Sequence, residues 1–145
     1  MSDPHPNIVA YLAAIAAFNA NDLEAVADHV RADVVYRIPG RSIIAGEFRG
    51  IDGFAEILTR LRDESGGTIE LAPLAVLADD HNLIARARVT ARRAGKTLDT
   101  ENCYAFGFID GKVADGQVFV SNQDQVDDFW GGPEAQRAHV SEEQP

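Results

Sequence analysis

Two strand-like runs joined by Asp110-Gly111, together spanning Thr97 to Asn122, constrain this chain more than any other stretch. Side chains along a strand alternate between faces. In the first run Leu98, Asn102, Tyr104, Phe106 and Phe108 share one face, while Asp99, Glu101, Cys103, Ala105 and Gly107 take the other. The large side chains thus sit with an amide and a phenol. A plain core has little use for those two groups; a pocket has.

The turn decides which face of the second run meets them. A two-residue Asp110-Gly111 loop sets Phe108 opposite Val113 and Tyr104 opposite Gln117. A three-residue loop with Gly111 left-handed sets Phe108 opposite Lys112, Tyr104 opposite Gly116, Asn102 opposite Val118 and Leu98 opposite Asn122. A slip of one residue turns the whole strand over. The three-residue loop is preferred, because it brings Val118 and Val120 to the aromatic face.

The rest of the chain supplies helices first and strands afterwards. Residues 8–19 carry an apolar helical stripe through Ile8, Leu12, Ile15 and Phe18. Asn21 with Glu24 makes a capping-box pattern for a second helix bearing Leu23, Val26, Ala27 and Val30, with His29 on its flank. Val34–Ile38 is strand-like and stops at Pro39-Gly40. After Gly46-Glu47-Phe48, Asp52 is the expected cap of a third helix with Phe54, Ile57, Leu58 and Leu61 on one face. Strands follow over 69–78, where Pro73 implies an edge or a bulge, and over 83–94, where Arg86, Arg88 and Arg92 oppose an apolar face. This order indicates an α+β domain over residues 8–130, with helices on one face of a mainly antiparallel sheet. Residues 1–7 and 131–145 are expected to be disordered.

A formal charge of −10 disfavours nucleic acid and anionic membrane surfaces as partners. No apolar run reaches the length of a membrane span, and the polar start lacks the basic opening of a signal peptide. Cys103 stands alone, which excludes an internal disulfide and fits a reducing cytoplasm. The four histidines, His5, His29, His81 and His139, lack metal-ligand spacing, so no metal site is expected. Neither a phosphate loop, a dinucleotide fingerprint nor a Gly-x-Ser-x-Gly elbow occurs, and no cofactor is implied.

The element order resembles the SnoaL-like group of the nuclear-transport-factor-two-like superfamily, which includes ketosteroid isomerase. The residues that carry the resemblance are Phe18-Asn19-Ala20-Asn21-Asp22-Leu23, Ile38-Pro39-Gly40, Gly46-Glu47-Phe48-Arg49-Gly50, Phe106-Gly107-Phe108-Ile109-Asp110-Gly111-Lys112 and Val126-Asp127-Asp128-Phe129-Trp130. It implies a cone: three N-terminal helices packed on a curved sheet around an apolar pocket. It also implies a homodimer through the outer sheet face, where Arg86, Arg88 and Arg92 would lie. Ketosteroid isomerases use an aspartate base before a proline, with tyrosine and protonated-aspartate donors. Those positions here are Ile38, Ala14 and Tyr104, so the usual base is gone and that mechanism is not expected. SnoaL-type cyclases place a carboxylate elsewhere in the pocket. Around the end of the last strand this chain has Ser121-Asn122-Gln123-Asp124, leaving Asp124 as the substitute. Asp99 and Arg37 do not reproduce the spacing of the Asp-Arg-Asp set of limonene-epoxide-hydrolase-like members.

Three residues are therefore candidates for chemistry. Tyr104 is an oxygen-polarising donor, with Asp124 and His29 as acid or base. Phe18, Tyr36, Ile38, Phe54, Asn102, Phe106, Val118, Val120 and Asn122 are candidate ligand contacts, the two amides orienting a polar atom. The ligand that the resemblance implies is a small, largely apolar ketone or polyketide-like molecule. Isomerisation, cyclisation or hydrolysis without a cofactor is one reading; a non-catalytic binding module and a dimeric scaffold are the others.

Overall fold

The computed structural model describes residues 3–132. It contains helices α1 (Pro6–Asn19), α2 (Leu23–Ala27), α3 (Gly50–Glu64) and α4 (Gln123–Trp130). The strands are β1 (Val30–Ile38), β2 (Gly46–Arg49), β3 (Glu70–Ala78), β4 (Asn82–Arg93), β5 (Lys96–Ile109) and β6 (Lys112–Val120). They form one six-stranded sheet in the order β2-β1-β6-β5-β4-β3, with β1 parallel to β6 and every other pair antiparallel. The α+β class and the curved, open sheet with helices packed on it agree with the sequence. The third helix, however, comes after two strands, so the helices are not all N-terminal.

The apolar parities of the sequence point inward. Along β4, Leu83, Ala85, Ala87, Val89 and Ala91 are buried, while Arg86, Arg88 and Arg92 are exposed. Strand β3 is an edge strand, and its register shifts between Pro73 and Ala75. Both consequences of a strand proline occur together there.

Helix α1 lies along that edge and is tied to it at both ends. The Asn19 side chain donates to the Leu71 carbonyl (2.8 Å) and accepts from the Leu71 N–H (2.9 Å), which occupies backbone groups a free edge would leave open. At the other end Asn7 Nδ2 donates to the carbonyl of Asp79 (3.0 Å), and His5 Nε2 lies 2.9 Å from Asp80 Oδ1. The helix accordingly starts at Pro6, two residues before the apolar stripe suggests. Of the segment 1–7 read as disordered, only residues 1 and 2 lie outside the described residues, as do residues 133–145 of the tail.

Several boundaries differ from the sequence reading for local reasons. The cap of α2 is Asp22, whose side chain accepts from the Ala25 N–H, while Asn21 is left-handed at φ 60°. That helix is one turn long, so Val30 opens β1 and His29 sits in the turn between them rather than on a helix flank. Asp52 does not cap α3; it lies in the first turn of a helix that already starts at Gly50. Helix α4 was absent from the sequence reading. Asn122 is its N-cap, accepting from the Gln125 N–H at 3.1 Å. Lys96 and Arg93 donate to its last carbonyls, on Asp128 (3.0 Å) and Phe129 (3.4 Å), where cations suit a helix C-terminus. Val126, Phe129 and Trp130 of α4 are buried and close one end of the sheet.

The central hairpin corrects the preferred turn. Ile109 pairs with Lys112 across a two-residue loop in which Asp110 and Gly111 have φ 52° and 78°, the left-handed pair of a type I′ turn. Phe108 faces Val113, but Gly107 faces Asp115, so Ala114 is an extra residue that bulges from β6. Beyond the bulge Tyr104 faces Val118 and Asn102 faces Val120. Val118 and Val120 do join the aromatic face, by a bulge inside the strand rather than by a longer turn.

Candidate functional site

The inner face of β1, β4, β5 and β6, with α1, α3 and α4 against it, encloses a cavity of about 130 Å³. Its wall is aliphatic and aromatic: Ile15 and Phe18 from α1, Phe54, Leu58 and Leu61 from α3, Val126 and Trp130 from α4, and valines and leucines of the sheet. Among the described residues, no Asp, Glu, Lys or Arg lines it. Set into this wall are Tyr11, Tyr36, Tyr104, Asn102, Thr100 and His29. The chain has three tyrosines, and all of them face the one cavity.

Phe106 is the centre of that group. Its ring centroid lies 5.8 Å from Tyr11, 6.3 Å from Tyr36 and 6.1 Å from Tyr104. Tyr36 also meets Phe54 edge-on at 5.7 Å, a favoured aromatic geometry. The arrangement depends on Gly116, the cross-strand partner of Phe106. A Cβ at that position would lie 2.8 Å from ring carbons of both Phe106 and Tyr36, so the two rings occupy the space that glycine leaves open.

The polar groups are held in defined states. Asn102 Nδ2 donates to the Tyr104 hydroxyl at 3.2 Å. The Tyr11 hydroxyl and Asn102 Oδ1 are buried with no hydrogen-bond partner among the described residues. Burial pushes the Tyr11 phenol from the usual 10.0 up to about 12. Burial also raises Tyr104, partly offset by the bond from Asn102, and raises Tyr36, with the neighbouring Tyr104 and Tyr11 adding to the effect. All three are therefore neutral phenols at physiological pH, able to donate.

The structure gathers most of the candidate residues into this cavity. Tyr104, Phe18, Tyr36, Ile38, Phe54, Asn102, Phe106, Val118, Val120 and His29 all line it. Asp124 does not: it is exposed in the first turn of α4. Asn122 is likewise exposed, occupied in capping that helix. Sequence reasoning missed Tyr11, whose position one turn before Ala14 was a usable signal, since it falls at i−4 of the inward-facing Ile15 and i−7 of Phe18. It also missed Gly116, which only the cross-strand register reveals. Among the described residues no three His, Cys, Asp or Glu side chains converge to hold a metal, and no helix is long and apolar enough to cross a membrane.

The result is a helix-backed curved sheet around an apolar cavity with a few oriented polar groups, the form that small-molecule sites commonly take. Comparison with known proteins gives it a family. The model of the SnoaL-like domain matches residues 10–116, and the chain belongs to that family. Bal32a, from a soil-derived mobile gene cassette, is similar at 34% identity with a TM-score of 0.83, over 87% of this chain and 97% of that one. The uncharacterised protein Rv0034 of Mycobacterium tuberculosis (strain ATCC 25618 / H37Rv) is 30% identical over 116 residues, 79% of this chain and 88% of that protein. TerC, crystallised with polyporic acid, shares the fold with a TM-score of 0.77 at 22% identity, over 86% and 98% of the two chains.

Proposed function

We propose that the chain is a soluble, cytoplasmic protein that binds a small, largely apolar carbonyl compound, ketone or polyketide-like, in this cavity. The Tyr104 hydroxyl donates to the carbonyl oxygen. The observation that carries the reading is the pairing of an uncharged wall with three inward tyrosines. An apolar wall recognises rings by burial, and neutral phenols recognise an oxygen without requiring charge. A cavity of about 130 Å³ is of the order of one that holds benzene, ~150 Å³. Single-ring ligands should enter without rearrangement.

Catalysis is the second reading, and His29 favours it. It lines the cavity, and histidine is the most frequent acid or base among catalytic side chains. Tyr104 would stabilise an enolate oxygen while His29 moved the proton, a cofactor-free route to isomerisation or cyclisation. Asp124, outside the lining, has no part in this proposal. A homodimer through the outer sheet face fits the same picture: Leu77, Ile84 and Phe119 on that face are 75%, 51% and 50% exposed.

Thermal unfolding against aromatic ketones, polyketides, steroids, terpene epoxides and fatty acids tests the reading. A ligand at a hundred times its dissociation constant adds ~2.7 kcal/mol. That raises the midpoint by roughly 2–4 °C or more per kcal/mol in a domain of this size. A shift confined to carbonyl-bearing rings and weakened by Tyr104→Phe is the expected result. A flat response across the panel would sink the proposal.

A further inference from the structure

The hydrogen-bonding inventory of the cavity narrows the ligand further than an apolar ketone, and this step rests on the binding reading above. The Asn102–Tyr104 pair uses one amide N–H and one phenol lone pair. A primary amide and a hydroxyl have more to offer than that. The pair leaves the Tyr104 O–H free to donate and the Asn102 carbonyl free to accept, and that carbonyl oxygen is buried without a partner among the described residues. Turning the amide over exchanges which atom meets Tyr104 but still leaves one donor and one acceptor to spare. The Tyr11 hydroxyl, also buried and without a partner among the described residues, adds a second donor from the facing helix.

We infer that this cavity selects uncharged ligands carrying an O–H or N–H donor beside a carbonyl oxygen, as in a hydroxy-ketone, a phenolic ketone or a primary amide. It discriminates against plain ketones and against carboxylates. A plain ketone satisfies the tyrosine donors but strands the buried acceptor of Asn102. A stranded buried polar group weakens binding by roughly tenfold to a hundredfold. A carboxylate supplies two acceptors, no donor and a charge, in a cavity whose lining among the described residues holds no Lys or Arg. Its charge would be desolvated with nothing to pair it. Tyr11 is thereby a ligand-binding residue, which neither the tyrosine position of ketosteroid isomerases, Ala14 here, nor the strand pattern assigns.

The test uses three single-ring probes of near-equal size with the full chain at neutral pH. Benzamide carries donor and acceptor, acetophenone the acceptor alone, and benzoate the charge. Calorimetric titration is expected to rank benzamide at least about tenfold above acetophenone, with benzoate weakest. Asn102→Leu should erase the first preference while keeping acetophenone binding, and Tyr11→Phe should weaken both neutral probes. Equal affinity of the unmodified protein for benzamide and acetophenone would overturn the inference, as would a preference that survives Asn102→Leu. Either result leaves the carbonyl-binding pocket standing. Failure of all three probes to bind would overturn the pocket reading and this inference together. The wild-type ranking decides even if a variant does not fold.

Discussion

The two faces of the sheet are made by alternate residues of the same strands, yet they solve opposite problems. Around the cavity, the inner face and α1 hold phenols and an amide with no charged side chain among the described residues, and Asn102 Oδ1 on the sheet and the Tyr11 hydroxyl on α1 have no hydrogen-bond partner among those residues. The outer face pairs its charges across strands, Arg88 with Asp99 and Arg86 with Glu101, the latter at 3.3 Å. Around these ion pairs it leaves Leu77, Ile84 and Phe119 in the open. Polar groups in water need no precise partner, so the outer pairs contribute little. Polar groups out of water are expensive unless satisfied, so the inner ones mark a place built for something else to satisfy them.

The largest effect that would break this contrast is alkaline. A phenol whose folded pKa is raised above its unfolded value stabilises the fold fully below the unfolded pKa. That contribution is lost as the pH climbs through the folded value. For Tyr11 the window runs from the usual 10.0 to about 12, and each pH unit is worth ~1.4 kcal/mol. Stability should fall by on the order of 2–3 kcal/mol from this residue alone, with Tyr36 and Tyr104 adding losses of the same sign. Urea midpoints measured across this window should drop steadily, and the drop should shrink in Tyr11→Phe. Ultraviolet titration should show all three phenols still protonated where denatured chain is half ionised. Ionisation near pH 10.0 in protein that is still folded would show that the inner face is wet.

How much of this contrast the sequence carried follows from its period. The alternation in β4 and β5 is regular, so the inward set from Leu98 to Phe108 and the outward arginines were legible from residue identity alone. Strand β6 was not, because Ala114 breaks its period and Asp110-Gly111 is compatible with more than one loop length. Only the sheet's other pairings choose between them. Helix α4 hid for a different reason. It is one short segment with acidic residues on its outer side, and its helical signal is the spacing of Val126, Phe129 and Trp130. Asn122 looked like a pocket amide until it proved to be the cap of that helix. Asp124 fell outside the cavity through the same change of direction, since a strand that turns into a helix no longer aims alternate residues inward. Tyr11 was hidden by the composition of α1, which carries no charged residue to mark its outer side.

Two glycines give the next largest effect and the sharpest contrast. Gly107 and Gly116 both lie in the β5–β6 ladder, Gly107 on the outer face and Gly116 on the inner. The atoms nearest a Cβ at Gly107 would be those of the Asp115 carboxylate, from 2.8 Å, and an exposed side chain can swing away. Alanine also suits a strand better than glycine, by roughly 0.5–1 kcal/mol. Gly107→Ala should therefore be neutral or mildly stabilising. Gly116→Ala drives a methyl into Phe106 and Tyr36, and overpacking of that kind costs about 1–3 kcal/mol. Chemical denaturation should separate the two variants with opposite signs. Benzamide binding should weaken in Gly116→Ala alone. Equal behaviour of the two would mean that the rings around Phe106 are not confined.

The smallest effect is expected from Arg88→Ala. The guanidinium grips Asp99 with two hydrogen bonds, the Nε contact at 2.8 Å, and it holds that carboxyl below its ordinary range. Both side chains are more than half exposed, so water and salt take over most of what the pair supplies. In the wild-type protein this contribution is present above the ordinary carboxylate pKa of 3.8 and fades as the pH falls through the lowered value. Removing Arg88 should return Asp99 to a normal titration by NMR and leave the melting midpoint at neutral pH nearly unchanged, the more so at high salt. A drop as large as that of Gly116→Ala would contradict the description of this face as solvated. It would mean that Arg88 is covered in solution, and sedimentation of the wild type against the variant would then show whether a second copy of the chain covers it.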